Sequence, residues 1–255
     1  MSSPVIIVTG ASRGIGLATV RSALSLGCRV VGAGRSKITS LDAWKDLLQK
    51  YPTEASYIEG DLCERSVAQE IVKQTVSKYG KIDGVVLNAG VVEPFAKVKN
   101  TDIEEAKRCF DINFFSVWTL IQETLPEMRK SHGKYIIVSS GAAAHAIDAW
   151  SAYCSSKAAV NMLGFCLTNE EKDVICVSIR PGVVDTDMQK TIREQGSVAM
   201  DGPVHAMFTG LYESGKLVKA EDAGYQLAKL VMECPADLNG QFLDYMDEKL
   251  AAFRK

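Results

Sequence analysis

Three residues of this chain could together place a proton on a carbonyl oxygen: Ser140, Tyr153 and Lys157. Positions four apart share a helix face, so Lys157 stands beside the Tyr153 side chain if the stretch is helical. An ammonium next to a phenol favours the phenolate and draws its pKa down from about 10 toward the working range. Ser140 ends the apolar run 135–140, thirteen residues before the tyrosine, and is placed to hydrogen-bond the oxygen that Tyr153 protonates. An acid, a group that tunes it and a group that positions its target suit reduction of a carbonyl.

The tyrosine–lysine spacing carries no weight alone. Tyr212/Lys216, Tyr225/Lys229 and Tyr245/Lys249 repeat it, so four of the eight tyrosines have a lysine at i+4. Thirteen residues upstream of those three stand Ala199, Tyr212 and Met232. Only Tyr153 has a serine there, and only its serine follows a strand-like run. The assignment rests on that context.

The elements that must hold these residues can be read in order. Residues 5–9 form a short, continuous, β-branched run, the pattern of a buried strand. It leads into Gly10, Ser12, Arg13, Gly14, Ile15 and Gly16 and then an amphipathic helix to about residue 26. Strand, glycine turn and helix in that order make a phosphate-binding turn. Gly10 permits the turn, Gly14 lets backbone approach a pyrophosphate, and Gly16 lets helix and strand pack closely.

A second strand at 29–33 is followed by Arg35 and Ser36. An acid at this strand end grips a ribose 2′-hydroxyl, whereas an arginine accommodates a 2′-phosphate. The chain has no acid there; it has Arg35, with Arg13 as a second cation, so NADP is favoured over NAD. The alternative for both arginines is plain surface charge. Strands follow at 56–60, ending in Asp61 and Leu62, and at 82–87, closed by Asn88, Ala89 and Gly90. The Asp61 carboxylate is placed to accept from an adenine amino group, and the small residues 88–90 let backbone lie against a ribose.

A long helical pattern covers about 102–128 and holds Asn113 among aromatic residues. An amide in such surroundings needs partners; the expectation is that it holds a water relaying protons to Lys157. Helices are also expected at 40–50, 64–79 and 220–233 and around Tyr153 to about 169, with further strands at 174–180 and 240–245. Pro181 and Gly182 stop the sixth strand. Residues 185–216, rich in glycine, methionine and aromatics, read as an irregular segment, either a lid over an apolar pocket or a packed insertion.

Alternation of strands and helices from end to end implies an α/β fold, a single doubly wound Rossmann-type domain over residues 1–255. About seven parallel strands would carry helices on both faces. The glycine turn, residues 88–90, Ser140 and Pro181-Gly182 all fall at C-terminal strand ends, where open α/β sheets bind ligands. A net charge of −2 supplies no field for nucleic acid or anionic membrane. The first apolar run is too short for a signal segment, and no window is long enough to span a bilayer. Seven cysteines without a C-x-x-C pair and three unpaired histidines argue for reduced thiols in a cytoplasmic protein without a metal site.

With these positions assembled, the chain resembles the short-chain dehydrogenase/reductase family over essentially its whole length. The likeness is carried by the 9–16 glycine turn, Asp61-Leu62, Asn88 to Gly90, Asn113, Ser140, Tyr153 with Lys157, and Pro181-Gly182. It implies a catalytic set of Asn113, Ser140, Tyr153 and Lys157, with Lys157 also on the nicotinamide ribose, and Val184 backbone and Thr186 hydroxyl on the carboxamide. Residues 181–189 and 240–247 resemble the sepiapterin reductase/benzil reductase group, in which Asp247 matches a substrate-holding acid. Trp150, Met188, Met207 and Tyr212 are the expected apolar walls. The resemblance implies NADPH-dependent reduction of a ketone or 1,2-dicarbonyl by a homodimer or homotetramer. The competing reading is an NADP-binding redox sensor without substantial turnover.

Overall fold

The computed structural model describes residues 3–255. Seven parallel strands form one sheet in the order β3-β2-β1-β4-β5-β6-β7. They are β1 Val5–Thr9, β2 Arg29–Gly34, β3 Ala55–Glu59, β4 Gly84–Leu87, β5 Lys134–Val138, β6 Ile175–Arg180 and β7 Phe242–Asp244. The helices are α1 Gly14–Ser25, α2 Asp42–Lys50, α3 Arg65–Tyr79, α4 Ile103–Phe110, α5 Ser116–Ser131, α6 Ser151–Glu170, α7 Asp187–Gln195, α8 Gly202–Glu213 and α9 Ala220–Glu233. This is the doubly wound Rossmann-type arrangement that the alternating pattern implies.

The two faces of β1 show why its run is apolar throughout. Ile6 and Val8 pack with α1, α2 and α9 on one side of the sheet. Val5 and Ile7 pack with α3, α5 and α6 on the other. β1 pairs with both β2 and β4, so the chain order reverses beside it. At such a switch point the loops leaving neighbouring strands diverge and open a crevice.

Three segments differ from the sequence expectation. The strand carrying the serines ends at Val138, two residues before Ser140, because Ser140 instead accepts from Ala142 N–H at 3.1 Å and opens a 3₁₀ turn. The expected long helix is α4 and α5 joined by a π turn, Asp111–Phe115. Asn113 lies within that widened turn, a feature that often marks functional sites.

The third difference is in residues 185–216, which are not irregular. Thr186 caps α7, accepting from Gln189 N–H at 3.5 Å, and Pro203 sits in the first turn of α8. Both are ordinary helix-start signals. The glycine- and methionine-rich composition masked them. Among the described residues no helix is long and apolar enough to cross a membrane.

Candidate active site

The glycine turn is held by bonds from two other segments, the loop after β4 and α2. Gly10 and Gly14 have φ of +62° and +54°, which glycine adopts without strain. Thr9 Oγ1 accepts from the backbone N–H groups of Asn88 and Ala89 at 3.0 and 3.1 Å. The Asn88 amide donates to Thr9 O at 2.9 Å and Gly10 O at 3.3 Å. Trp44 of α2 reaches across to donate its indole N–H to Ala11 O at 2.8 Å. That tryptophan fits only because β2 has Gly32, where a Cβ would lie 2.2 Å from the ring.

These strand ends border a cleft of about 960 Å³. From the glycine turn its lining takes in Gly10, Ser12, Arg13, Gly14 and Ile15; from β2 and β3, Arg35, Ser36, Asp61 and Leu62. Asn88, Ala89, Gly90, Pro181, Gly182, Val184 and Thr186 also line it, as do Ser140, Tyr153, Lys157, Trp150, Met188 and Met207. The sequence expectation missed Glu93, His145, Gln189, Phe208 and Asp244, which line the same cleft. Phe208 stacks on Trp150 with ring centroids 5.1 Å apart, although the two lie 58 positions apart by number in loops and helices the spacing does not connect.

Four expected site residues do not line the cleft. Gly16 is a packing position, since a Cβ there would lie 2.3 Å from Gly10 O. Tyr212 lies under the Arg193 guanidinium, 3.7 Å from its ring centroid, on a half-exposed face of α8. Asp247 caps the terminal 3₁₀ turn, accepting from Lys249 N–H at 3.0 Å. The acid that reaches the cleft is Asp244, bonded to Arg180 at 2.8 Å. Asn113 is fully buried: its amide donates to Val91 O at 2.9 Å and Ser156 Oγ at 3.0 Å, and its Oδ1 accepts from Val91 N–H at 2.9 Å. Its side chain is held in place by these protein partners.

The charges of the site also differ from the expectation. The Tyr153 phenol is not drawn down by Lys157. Burial pushes it up to about 12, against an opposing pull from the Ser140 hydroxyl. Burial likewise pushes the Lys157 ammonium down to about 8. That ammonium lies 5.8 Å from the Tyr153 ring centroid and donates to Val138 O at 2.9 Å. Desolvation of both groups therefore outweighs their proximity. Arg13 is also not a free cation: it pairs with Asp187, at the start of α7, at 2.9 Å. Arg35 has no ion-pair partner among the described residues.

Residues 4–197 match the short chain dehydrogenase family. The chain belongs to that family. It is 39% identical over 259 residues to a benzil reductase ((S)-benzoin forming) of Saccharomyces cerevisiae, covering 96% of this chain and 97% of that protein. It is 33% identical over 221 residues to a benzil reductase ((S)-benzoin forming) of Bacillus subtilis, covering 83% and 86%. A crystal structure of a short chain dehydrogenase/reductase from Saccharomyces cerevisiae superposes with a TM-score of 0.95 at 41% identity, covering 99% of this chain and all of that one. This short-chain dehydrogenase is thus an oxidoreductase.

The depressed Lys157 pKa has a consequence for stability. The folded chain binds fewer protons than the unfolded chain between about pH 8 and the ordinary lysine value of 10.5. Stability therefore rises with pH across that window, and the full penalty is present below it. At 1.36 kcal/mol per pKa unit the penalty is about 3 kcal/mol, offset in part by the Val138 hydrogen bond at about 1 kcal/mol. Lys157→Met is expected to be more stable than the parent by about 1–2 kcal/mol at pH 7, on that balance. The advantage should fade as pH rises through the window, as read by denaturant unfolding at a series of pH values. A pH-independent difference would mean that the buried ammonium carries no such penalty.

Proposed function

We propose that this protein is an NADPH-dependent carbonyl reductase acting on ketones and 1,2-dicarbonyls of the benzil kind. The observation that carries the reading is that Ser140, Tyr153 and Lys157 line one cleft, with the Lys157 ammonium 5.8 Å from the Tyr153 ring centroid. A phenol held near 12 is an acid at neutral pH, which suits reduction. Ser140 and Tyr153 orient the carbonyl oxygen, and Tyr153 gives up its proton as the oxygen gains charge. Lys157, titrating near 8, is the stronger acid of the pair and returns a proton to the phenolate downhill. Asn113 serves by fixing the Val91 backbone over this pair. Gly90 leaves room for it, since a Cβ there would lie 3.1 Å from Asn113 Oδ1 and 3.4 Å from Lys157 Nζ.

The cleft fits a dinucleotide phosphate. Its glycine turn presents backbone without side chains, and a Cβ at Gly10 would collide with Ala89. Arg35 is the exposed cation at the β2 end, and Ser36 a donor beside it. Glu59, the nearest acid in the pairing register, is occupied by the Ile38 backbone N–H. When bound, NADPH supplies the hydride. We assign the 2′-phosphate to Arg35 and the pyrophosphate to the turn around Gly14, with Asp61 at the adenine and Val184 and Thr186 at the carboxamide.

Trp150, Met188, Met207 and Phe208 give the remaining wall an apolar, aromatic character suited to an aryl ketone. Both benzil reductases named above fit that substrate class. A homo-oligomer goes with the same reading: Phe115 and Trp118 are about half exposed near the start of α5, as is Met162 on α6. Sedimentation as a single chain would remove that part.

Two substitutions test the assignment. Tyr153→Phe keeps the ring and should lower benzil turnover by about 10²–10⁴-fold while NADPH still binds. Near-parental turnover would defeat it, and silence of the parent across a panel of diketones would favour a sensor. Arg35→Ala should weaken NADPH binding by about 10–100-fold, the worth of one or more charge-assisted bonds, and leave NADH binding within about twofold. Equal losses for both cofactors would contradict the NADP preference.

A further inference from the structure

Lys97 stands in the loop after β4, outside every motif described above. Its ammonium donates to both oxygens of Asp148, at 2.6 and 2.7 Å, and to Asp201 at 2.8 Å. Asp148 Oδ2 also accepts from the Asp201 backbone N–H at 2.7 Å. These bonds join three segments remote in sequence: the loop after β4, the approach to α6 and the start of α8. Each segment supplies part of the cleft. Val92 and Glu93 come from the first, Ile147 and Trp150 from the second, and Met207 and Phe208 from the third.

Two features show that the knot does more than decorate the surface. Asp201 occupies the N-cap of α8, where an aspartate ordinarily bonds the N–H groups of its own helix. It makes no such bond, because its carboxylate is turned to Lys97. Next to Asp148, Ala149 has φ +61°, a conformation that a residue other than glycine keeps only where its surroundings hold it. Ala149 O accepts from Ala96 N–H at 3.0 Å, one residue from Lys97. Trp150 follows directly and stacks on Phe208. The two acids hold the Lys97 ammonium above its usual range, and the hydrogen bonds from Lys97 and the Asp201 backbone N–H hold the Asp148 carboxyl below its own. An isolated exposed ion pair contributes little, but one cation shared by two carboxylates that are also joined through backbone is a network.

We propose that Lys97 is a positioning residue for substrate: it fixes Trp150 against Phe208, so that the apolar wall beside Tyr153 is formed before substrate arrives. The proposal rests on the carbonyl-reductase reading. Lys97 itself does not line the cleft. Its loss should therefore loosen substrate binding and leave the chemical step and the cofactor alone.

The experiment is steady-state reduction of benzil by NADPH, with NADPH affinity followed by fluorescence. Lys97→Met should raise KM for benzil about tenfold, with kcat within about twofold and NADPH affinity unchanged. Lys97→Arg should restore KM to within about threefold. The Lys97→Met/Asp201→Asn double variant should be no worse than Lys97→Met, since both changes break one network. Asp201→Asn alone, at a largely exposed carboxylate, supplies a variant that folds and should raise KM in the same direction.

Parental KM in Lys97→Met and in Asp201→Asn overturns the proposal. So does a loss shared equally by kcat and NADPH affinity, or an arginine variant no better than methionine. Hydrogen exchange over residues 201–213 separates this failure from that of the function. Faster exchange in Lys97→Met, with no benzil turnover in the parent, counts against the reductase reading and leaves the tie between segments standing. Unchanged exchange with parental KM removes Lys97 from its role while the reductase reading stands.

Discussion

Burial of one ammonium sets the terms for everything around it. Lys157 lies against Val138 O with little other polar company, and taking its charge out of water costs more than that single bond returns. The neighbouring groups can be understood from that cost. Gly90 sits close over the pair, its Cβ position 3.1 Å from Asn113 Oδ1 and 3.4 Å from the ammonium. Asn113 must bond the Val91 backbone so that the loop over Lys157 keeps its place. Tyr153, packed edge-on to Trp150 at 5.4 Å, is sealed from water by the same walls and is therefore kept protonated. A lysine made a stronger acid and a tyrosine made a weaker one are ordered for proton flow toward a carbonyl.

The fold supplies this arrangement through its switch point. β1 and β4 send their loops in opposite directions, and the glycine turn and residues 88–90 face each other across the opening. Thr9 and Asn88 lock the two loops together by backbone bonds, so the cleft has a fixed floor. The opposite wall, formed by α7 and α8, is attached differently. It packs on the rest of the molecule through a buried apolar cluster that joins Ile192, Met200 and Phe208 to Val92, Ala142, Trp150 and Tyr153, and through charged pairs, Arg13 with Asp187 and Lys97 with Asp201. The dinucleotide side is fixed by side-chain-to-backbone bonds, and the substrate side by apolar packing with ion pairs at its rim.

Much of this was legible in the residues themselves. Short β-branched runs between glycine and proline breaks located all seven strands, because buried parallel strands have no polar face to confuse the pattern. The glycine turn and the Ser140, Tyr153 and Lys157 set were legible for the same local reason: backbone geometry and helical spacing are properties of near neighbours. The sign of the Tyr153 shift was not legible. Spacing reports that two groups are close, and it says nothing about how much water either retains. Nor were Trp44 on Ala11, Asn113 on Val91, or Lys97 on Asp148 and Asp201, each a contact between distant segments. The family resemblance points to Asp247 as the substrate-facing acid, but Asp244, three residues earlier at the end of β7, is the one that lines the cleft.

The central claim is that the Lys157 ammonium is held out of water, and side-chain NMR can follow its titration directly. Carbon-13 shifts of the lysine side chains, with the resonance assigned by its absence in Lys157→Met, should show Lys157 titrating near pH 8, below the ordinary lysine value of 10.5. A Lys157 midpoint at or above 10 would contradict the account, because the group would then be no better a proton source than any surface lysine.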